Sequence, residues 1–422
     1  MSTAAPRSGA FVRFWTAQTA SQLGQRFGLV AMPVVAIEVL DAGPAEVGYL
    51  TASLTVCYLL VGLPAGAWVD RWSKRRTMIR SAWVRAVVLS TIPALWLADA
   101  LSLTWMYVVG LVVGVASVFF DVAYQSLVPF LVEDDEIEGA NARLEGSAQV
   151  AATAGPALAG GLVKVVSAPL LLAVDAAAYL VCALLLGTVR DKERRVAPEV
   201  PTSIAQDVRE GVGFVLSQPV LRRLVLTTGV SNFFATIIMT LLPLLILREL
   251  DLDPAAMGIV LGIGTVGGIA GAAALPRVRR RLRAGTTMGA GLCLAAASTA
   301  LFPLASSVPG GAAAAIGVLA LAQVGMTFGA VQFNITQVST RQRVCPPRLL
   351  GRMTSSIRFV VWGCMPAAAV TAGWLASGIG VVPAMWVGVV GTCVTVVPIL
   401  GIDRIIEAST PAAAEAGSRA HA

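Results

Sequence analysis

Residues 62–78 read Gly62-Leu-Pro-Ala-Gly66-Ala-Trp-Val-Asp70-Arg71-Trp-Ser-Lys74-Arg75-Arg76-Thr-Met78. An apolar segment ends on small residues, meets a single carboxylate and runs into a cationic turn. A second apolar segment starts at once. In a bilayer this order places an acid at the membrane border and holds the arginines and lysine on the cytoplasmic side, by the positive-inside preference. The stretch therefore predicts two membrane-crossing helices joined by a short charged loop.

Composition carries that prediction to the whole chain. Of 422 residues, 56% are hydrophobic and 13% charged, about half the charged fraction usual in soluble domains. The apolar residues fall in runs of about 20, the length that crosses roughly 30 Å of hydrocarbon at 1.5 Å per residue. A net charge of +7 is accounted for by arginines flanking membrane helices, and no basic patch interleaved with aromatics points to nucleic acid. The six cysteines stand singly, so neither a disulfide framework nor a metal site is read. The lone histidine, His421, lies in the tail, which leaves no buried histidine to carry protons. No Gly-rich phosphate loop, paired catalytic carboxylates or Ser/His/Asp set is present, so the chain reads as a non-enzyme without cofactor. Uphill transport would then draw on an ion gradient. No removable signal peptide is read at the N-terminus.

Twelve apolar segments can be placed, at roughly 11–37, 47–69, 77–98, 104–128, 145–166, 169–188, 221–246, 255–276, 286–306, 311–336, 355–377 and 380–401. Arginine and lysine gather in the N-terminal arm and in 71–80, 190–195, 277–283 and 341–352. The loop 129–144 is mostly acidic but holds Arg143 and falls on the same side, and between the remaining helix pairs only Lys164 and Arg248 occur. Both termini and the central loop are thus expected in the cytoplasm. A shift of 210 residues lays Asp41-x-x-Pro44-Ala45-x-Val47-Gly48 over Asp251-x-x-Pro254-Ala255-x-Met257-Gly258, Thr77-Met78 over Thr287-Met288 and Arg13 over Arg223. Near the fourth and tenth segments the match slips, with Phe120-Asp121 over Phe333-Asn334. The expected architecture is an all-α membrane protein of twelve transmembrane helices in two pseudo-symmetric six-helix bundles. Residues 1–188 and 219–403 form the bundles. Residues 189–218 form a cytoplasmic linker with an amphipathic helix near 202–217, and 404–422 a disordered tail.

Polar groups inside apolar segments are functional candidates because an uncompensated charge in hydrocarbon costs at least a few kcal/mol. Gln18, Gln22 and Gln25 share one face of the first segment, with Arg26 beside it. The repeat sets Thr228, Asn232 and Thr236 on nearly the same face of the seventh. Matching stripes at a repeat interface suit a substrate cavity; hydrogen bonding between helices is the other use of such residues. Arg85 and Asp121 are expected at similar depth. They are read either as a static pair or as a pair that opens when Asp121 is protonated, coupling a proton to a shape change. Asp175 and Arg358 are further single charges that snorkel or pair locally, and Asp175 is also a candidate for the proton path.

The Gly-x3-Asp-Arg-x3-Arg-Arg spacing from Gly66 to Arg76 resembles the loop between helices 2 and 3 of the major facilitator superfamily, with Ser73 where a turn glycine is usual. A carboxylate and arginines at that border can make contacts in one arrangement and lose them in another, so Gly66, Asp70, Arg71, Arg75 and Arg76 are read as a conformational latch. Gly155-Pro156-Ala-Leu-Ala-Gly160-Gly161 resembles the Gly-Pro-rich element of the superfamily's antiporters. There a missing backbone hydrogen bond and close helix approach make a pliant seam. Phe11-Val-Arg-Phe-Trp15 with Ser21-Gln-Leu-Gly24, Ala140-Asn-Ala-Arg143, Gln218-Pro-Val-Leu-Arg-Arg-Leu224 and Leu350-Gly-Arg-Met353 are similar to the branch that includes the enterobactin exporter and macrolide efflux proteins. That resemblance implies a monomeric exporter of a small amphipathic drug or natural product in the plasma membrane, working by alternating access against an inward proton gradient. Uptake of a small polar nutrient and a non-transporting sensor or assembly role are the alternatives.

Overall fold

A computed structural model of the chain describes residues 9–133, 136–189, 213, 215–345 and 350–408. The apolar segments fold as helices: α1 Gly9–Val34, α2 Pro44–Leu60, α3 Gly62–Arg71, α4 Lys74–Leu97, α5 Leu103–Leu127, α6 Ile137–Val163 and α7 Ala168–Thr188. They continue as α8 Pro219–Leu244, α9 Pro254–Arg281, α10 Ala284–Thr299, α11 Leu301–Leu304, α12 Gly311–Val344, α13 Leu350–Ile379, α14 Val381–Val394 and α15 Ile402–Ala408. No strand occurs among the described residues.

Two expected single helices are broken, and proline is the cause in both. Pro64 lacks the N–H that would bond to Leu60, and the second segment divides at Val61 (φ −113°) into α2 and α3. Pro303 withholds the bond to Thr299, and the ninth segment divides into α10 and α11. The tail begins later than expected. Residues 402–408 are helical, and Asp403 Oδ1 and Oδ2 accept from the N–H groups of Gly285 (2.6 Å) and Thr286 (3.0 Å), capping the positive end of α10. The expected linker helix near 202–217 falls almost wholly outside the described residues, as does 409–422.

The 210-residue repeat is written into the backbone. Pro33 in α1 and Pro243 in α8 each precede a five-residue π-turn, Val35–Val39 and Leu245–Glu249. Each π-turn closes on an aspartate in the left-handed region, Asp41 at φ 50° and Asp251 at φ 48°, a conformation aspartate tolerates better than most residues. Pro44 and Pro254 then open α2 and α9, where a missing N–H costs nothing. Arg13 donates to the Thr188 carbonyl at 3.0 Å and its repeat mate Arg223 to the Leu400 carbonyl at 3.3 Å.

Two compact units result. The first comprises Met1–Pro201 with Pro243–Gly262, the second Thr202–Leu242 with Ile263–Ala422. The last residues of α8 and the first turns of α9 thus belong with the first unit. In that unit α1 lies against α6 and α7, α4 against α5 and α7, and α2 against α5. In the second, α10 packs on α12 and α14, and α13 on α14. Both cores use repeat-related residues: Phe14, Met78 and Phe120 in the first, Leu224, Met288 and Phe333 in the second. In lipid, such packing and the close fit of small residues replace the water-driven burial of a soluble core.

Lys164 and Arg248, the two cations that break the charge asymmetry, are both paired within the first unit. Arg248 Nη2 lies 2.6 Å from Asp41 Oδ1 and Lys164 Nζ 3.8 Å from Asp253 Oδ2. Each of these cations therefore has a local electrostatic partner.

Candidate functional site

The second unit holds a cavity of about 750 Å³ lined by α8, α10, α12 and α13. Of the expected stripe, Thr228 and Asn232 line it; Thr236, two turns beyond Thr228, is buried elsewhere. The Thr228 hydroxyl has one proton, held by the Leu224 carbonyl at 2.7 Å, so its 3.3 Å approach to Gln337 Oε1 is the weaker contact. Asn232 Nδ2 donates to the Thr228 carbonyl at 2.8 Å, and Gln337 Nε2 to Asn334 Oδ1 at 3.0 Å. Phe333, Ile357, Val361 and Trp362 supply an apolar wall, and Arg341 is the one charged residue of the lining.

The first unit holds its own polar features. On α1, Gln18 is buried, Gln22 and Arg26 are half-buried and Gln25 is exposed, so the stripe and its neighbouring arginine differ in surroundings. Gln18 Oε1, Gln22 Oε1 and Arg26 Nε are buried without a hydrogen-bond partner among the described residues. The stem of Arg26 crosses α6 at Gly155, where a Cβ would lie 2.8 Å from Arg26 Cγ.

Arg85 on α4 is 2% exposed and pairs differently from the expectation. Its guanidinium carbon lies 4.7 Å from the ring centre of Phe120 and 4.8 Å from that of Tyr179, between two aromatic faces. Nε and Nη2 have no hydrogen-bond partner among the described residues. Asp121 accepts instead from the Tyr58 hydroxyl at 3.0 Å, and its charge reaches Arg85 through space. Two desolvated cation–π contacts contribute about 2 kcal/mol each, less than burying a guanidinium costs, so nearby negative charge must supply the rest. Asp175 is the other source. It is 3% exposed, lies within the field of Arg85, and its carboxylate fits against the α1 backbone at Gly24 and Gly28, where any side chain would collide with it. Its Oδ1 is buried and unbonded among the described residues.

In the loop, Ser73 is extended (φ −67°) and caps α4 by accepting from the Arg76 N–H, so no glycine conformation is needed there. Arg75 donates from Nε to the Leu186 carbonyl at 2.9 Å and from Nη2 to the Gly187 carbonyl, tying α4 to the negative end of α7. Arg71 and Arg76 are exposed, and a Cβ at Gly66 would meet nothing within 4 Å. The side chains of Asp70 and Arg358 lie outside the described residues. In the Gly-Pro stretch, Gly160 touches the α9 backbone at Ala255 and Gly258, whereas Gly161 faces open space.

The profile of the Major Facilitator Superfamily matches residues 14–370. The chain belongs to this superfamily. Its members are transporters rather than enzymes, and this chain is a multi-pass membrane protein with the superfamily's fold of twelve membrane-spanning segments. It is 26% identical over 378 residues to the uncharacterized MFS-type transporter YfiS of Bacillus subtilis (strain 168), covering 88% of this chain and 86% of that one. Among solved structures, a bacterial homologue of the iron transporter ferroportin in an inward-facing state superposes with a TM-score of 0.75 at 16% identity, covering 93% of this chain and 98% of the other. The nucleoside transporter NupG gives 0.75 at 12%, covering 93% and 99%. A bacterial homologue of the lysosomal transporter Spinster gives 0.71 at 14%, covering 95% and 98%. At these identities the likeness is one of fold.

Several residues of this superfamily member escaped sequence reasoning. Tyr58, the partner of Asp121, and the rings of Phe120 and Tyr179 look like ordinary apolar filling. The spacing of Tyr179 four residues after Asp175 was the available signal. Arg341 and Trp362 were hidden differently, the first among arginines that set topology and the second in an apolar run.

Proposed function

We propose that the chain is a secondary active exporter of a small amphipathic compound, driven by proton antiport through alternating access. The observation that carries the reading is Arg85, a buried guanidinium between two rings, with Asp121 and Asp175 as the carboxylates whose charge reaches it. Protonating either acid removes charge that offsets the burial of Arg85, and a change of that size can bias two arrangements of the bundle. The polar and aromatic cavity of the second unit suits a ligand with both characters. In this reading the stripe Gln18, Gln22, Gln25 and Arg26 serves substrate passage as well.

Gly66, Asp70, Arg71, Arg75 and Arg76 form the cytoplasmic latch, of which Arg75 has its partners on α7. Gly155, Pro156 and Gly160 form the pliant seam. The protein works as a monomer in the plasma membrane with both termini in the cytoplasm, in keeping with the arginine-rich loops and the exporter-like stretches. Asp121→Asn, assayed in proteoliposomes with an imposed pH gradient, is expected to abolish proton-driven export while the protein still inserts and folds. Undiminished gradient-driven export by that variant would remove Asp121 from the mechanism.

A further inference from the structure

The basic residues bordering membrane helices have two ordinary duties, to set topology from the water phase and to cap helix ends. Arg13, Arg75, Arg223 and Arg279 perform the second, each donating to carbonyls at a helix C-terminus. Arg343 is exposed, as the first requires. Arg341 does neither. It sits in the last turn of α12, half-buried, and its side chain lines the cavity of the second unit. No carboxylate lies within 4 Å of it among the described residues, and neither Asp, Glu nor Lys occurs in the cavity lining.

A cavity of this size accepts a compound of roughly drug dimensions. Its surface couples one unpaired guanidinium to the amides of Asn232 and Asn334 on one side and to Phe333, Ile357, Val361 and Trp362 on the other. Withdrawing a guanidinium from water without a counter-charge is unfavourable, and a ligand that brings the missing negative charge relieves the cost on binding. Guanidinium geometry matches a carboxylate or sulfonate in a bidentate manner. A cationic ligand meets no carboxylate in this lining and is repelled by Arg341.

We infer that this cavity binds an amphipathic organic anion, with its acid group on Arg341 and its ring system against Trp362 and Phe333. The inference rests on the exporter reading and narrows its substrate class. Positively charged lipophilic compounds are excluded from the site.

The test uses the purified full-length protein in detergent and three naphthyl probes that differ in charge: 1-naphthylacetate, its neutral isostere 1-naphthylacetamide and the cationic 1-naphthylmethylammonium. Equilibrium dialysis is expected to show saturable binding of the anion at least tenfold tighter than that of the other two. Arg341→Met should level the three to within about twofold, Arg341→Lys should keep the anion preference, and Arg343→Met should leave it unchanged. Trp362→Ala should weaken all three about equally without altering the preference, which keeps the test open should Arg341→Met fail to fold. Absence of saturable anion binding, equal or tighter binding of the cation, or an anion preference that survives Arg341→Met would overturn the inference. Flux of the same probes in proteoliposomes separates this from the exporter reading. Arg341-dependent binding without flux sinks the exporter reading alone. Flux without anion preference sinks the site alone.

Discussion

The contact between α6 and α9 yields the sharpest mechanical prediction. A Cβ added at Gly258 would lie 2.8 Å from Gly160 Cα and 2.9 Å from Gly160 N, and closer still to the Pro156 carbonyl. Contacts under 3.0 Å essentially do not occur for real Cβ atoms and ordinary ones start at 3.4 Å, so Gly258→Ala forces the helices apart by about 1 Å, the amount set by the Pro156 carbonyl. The obstructing atoms are backbone and cannot swing away. Overpacking of this kind costs about 1–3 kcal/mol, and Gly258→Val, with two further methyl groups, belongs at the upper end. If the seam parts during the transport cycle, the substitution favours the parted state by roughly 5- to 150-fold, since 1.4 kcal/mol is about tenfold in population. The assay places a cysteine at Ala255, which is buried beside Gly160, in a background without the native cysteines. The rate of labelling by a membrane-impermeant maleimide then reports the parted population. Labelling is expected to rise in the order Gly258, Gly258→Ala, Gly258→Val, whereas Gly161→Val, where a Cβ meets nothing within 4 Å, leaves it unchanged. Wild-type labelling and an unaltered thermal midpoint in Gly258→Val would refute the backbone contact on which the reasoning stands.

Other outcomes follow from single groups. Arg75→Gln loses two hydrogen bonds to the C-terminal carbonyls of α7 and should lower stability by about 1–2 kcal/mol, read as a lower thermal midpoint in detergent. Arg76→Gln, at an exposed side chain, should leave the midpoint unchanged. Asp403→Ala removes the acceptor of Gly285 N–H, Thr286 N–H and the Thr286 hydroxyl and should cost about 1–2 kcal/mol as a lost cap, with Asp403→Asn intermediate. At Asp41 the left-handed backbone outweighs the exposed ion pair. Asp41→Asn should therefore be nearly silent and Asp41→Val destabilising by about 1–2 kcal/mol more, measured by the same thermal scan.

Much of this molecule is legible in the one-dimensional chain because a bilayer imposes a one-dimensional rule. Each crossing needs an apolar run of fixed length with its backbone bonded internally, so the twelve segments, their loops and the 210-residue repeat can be counted from residue order. The repeat even extends to features no composition reveals, the paired π-turns and left-handed aspartates, because Pro33 and Pro243, and Asp41 and Asp251, impose the same local geometry twice. Side-chain partnership obeys no such rule. Depth along a helix suggested that Arg85 would meet Asp121, yet rotation about the helix axis and the neighbouring rings of Phe120 and Tyr179 set what the guanidinium touches, and Tyr58 took the carboxylate. Arg341 and Arg343 stand two residues apart in the same basic turn. Two positions are about 200° around a helix, and that rotation alone put one toward solvent and the other into a cavity. Residue order decided how many times the chain crosses the membrane; packing around the helix axes decided which of its few charges meet a ligand.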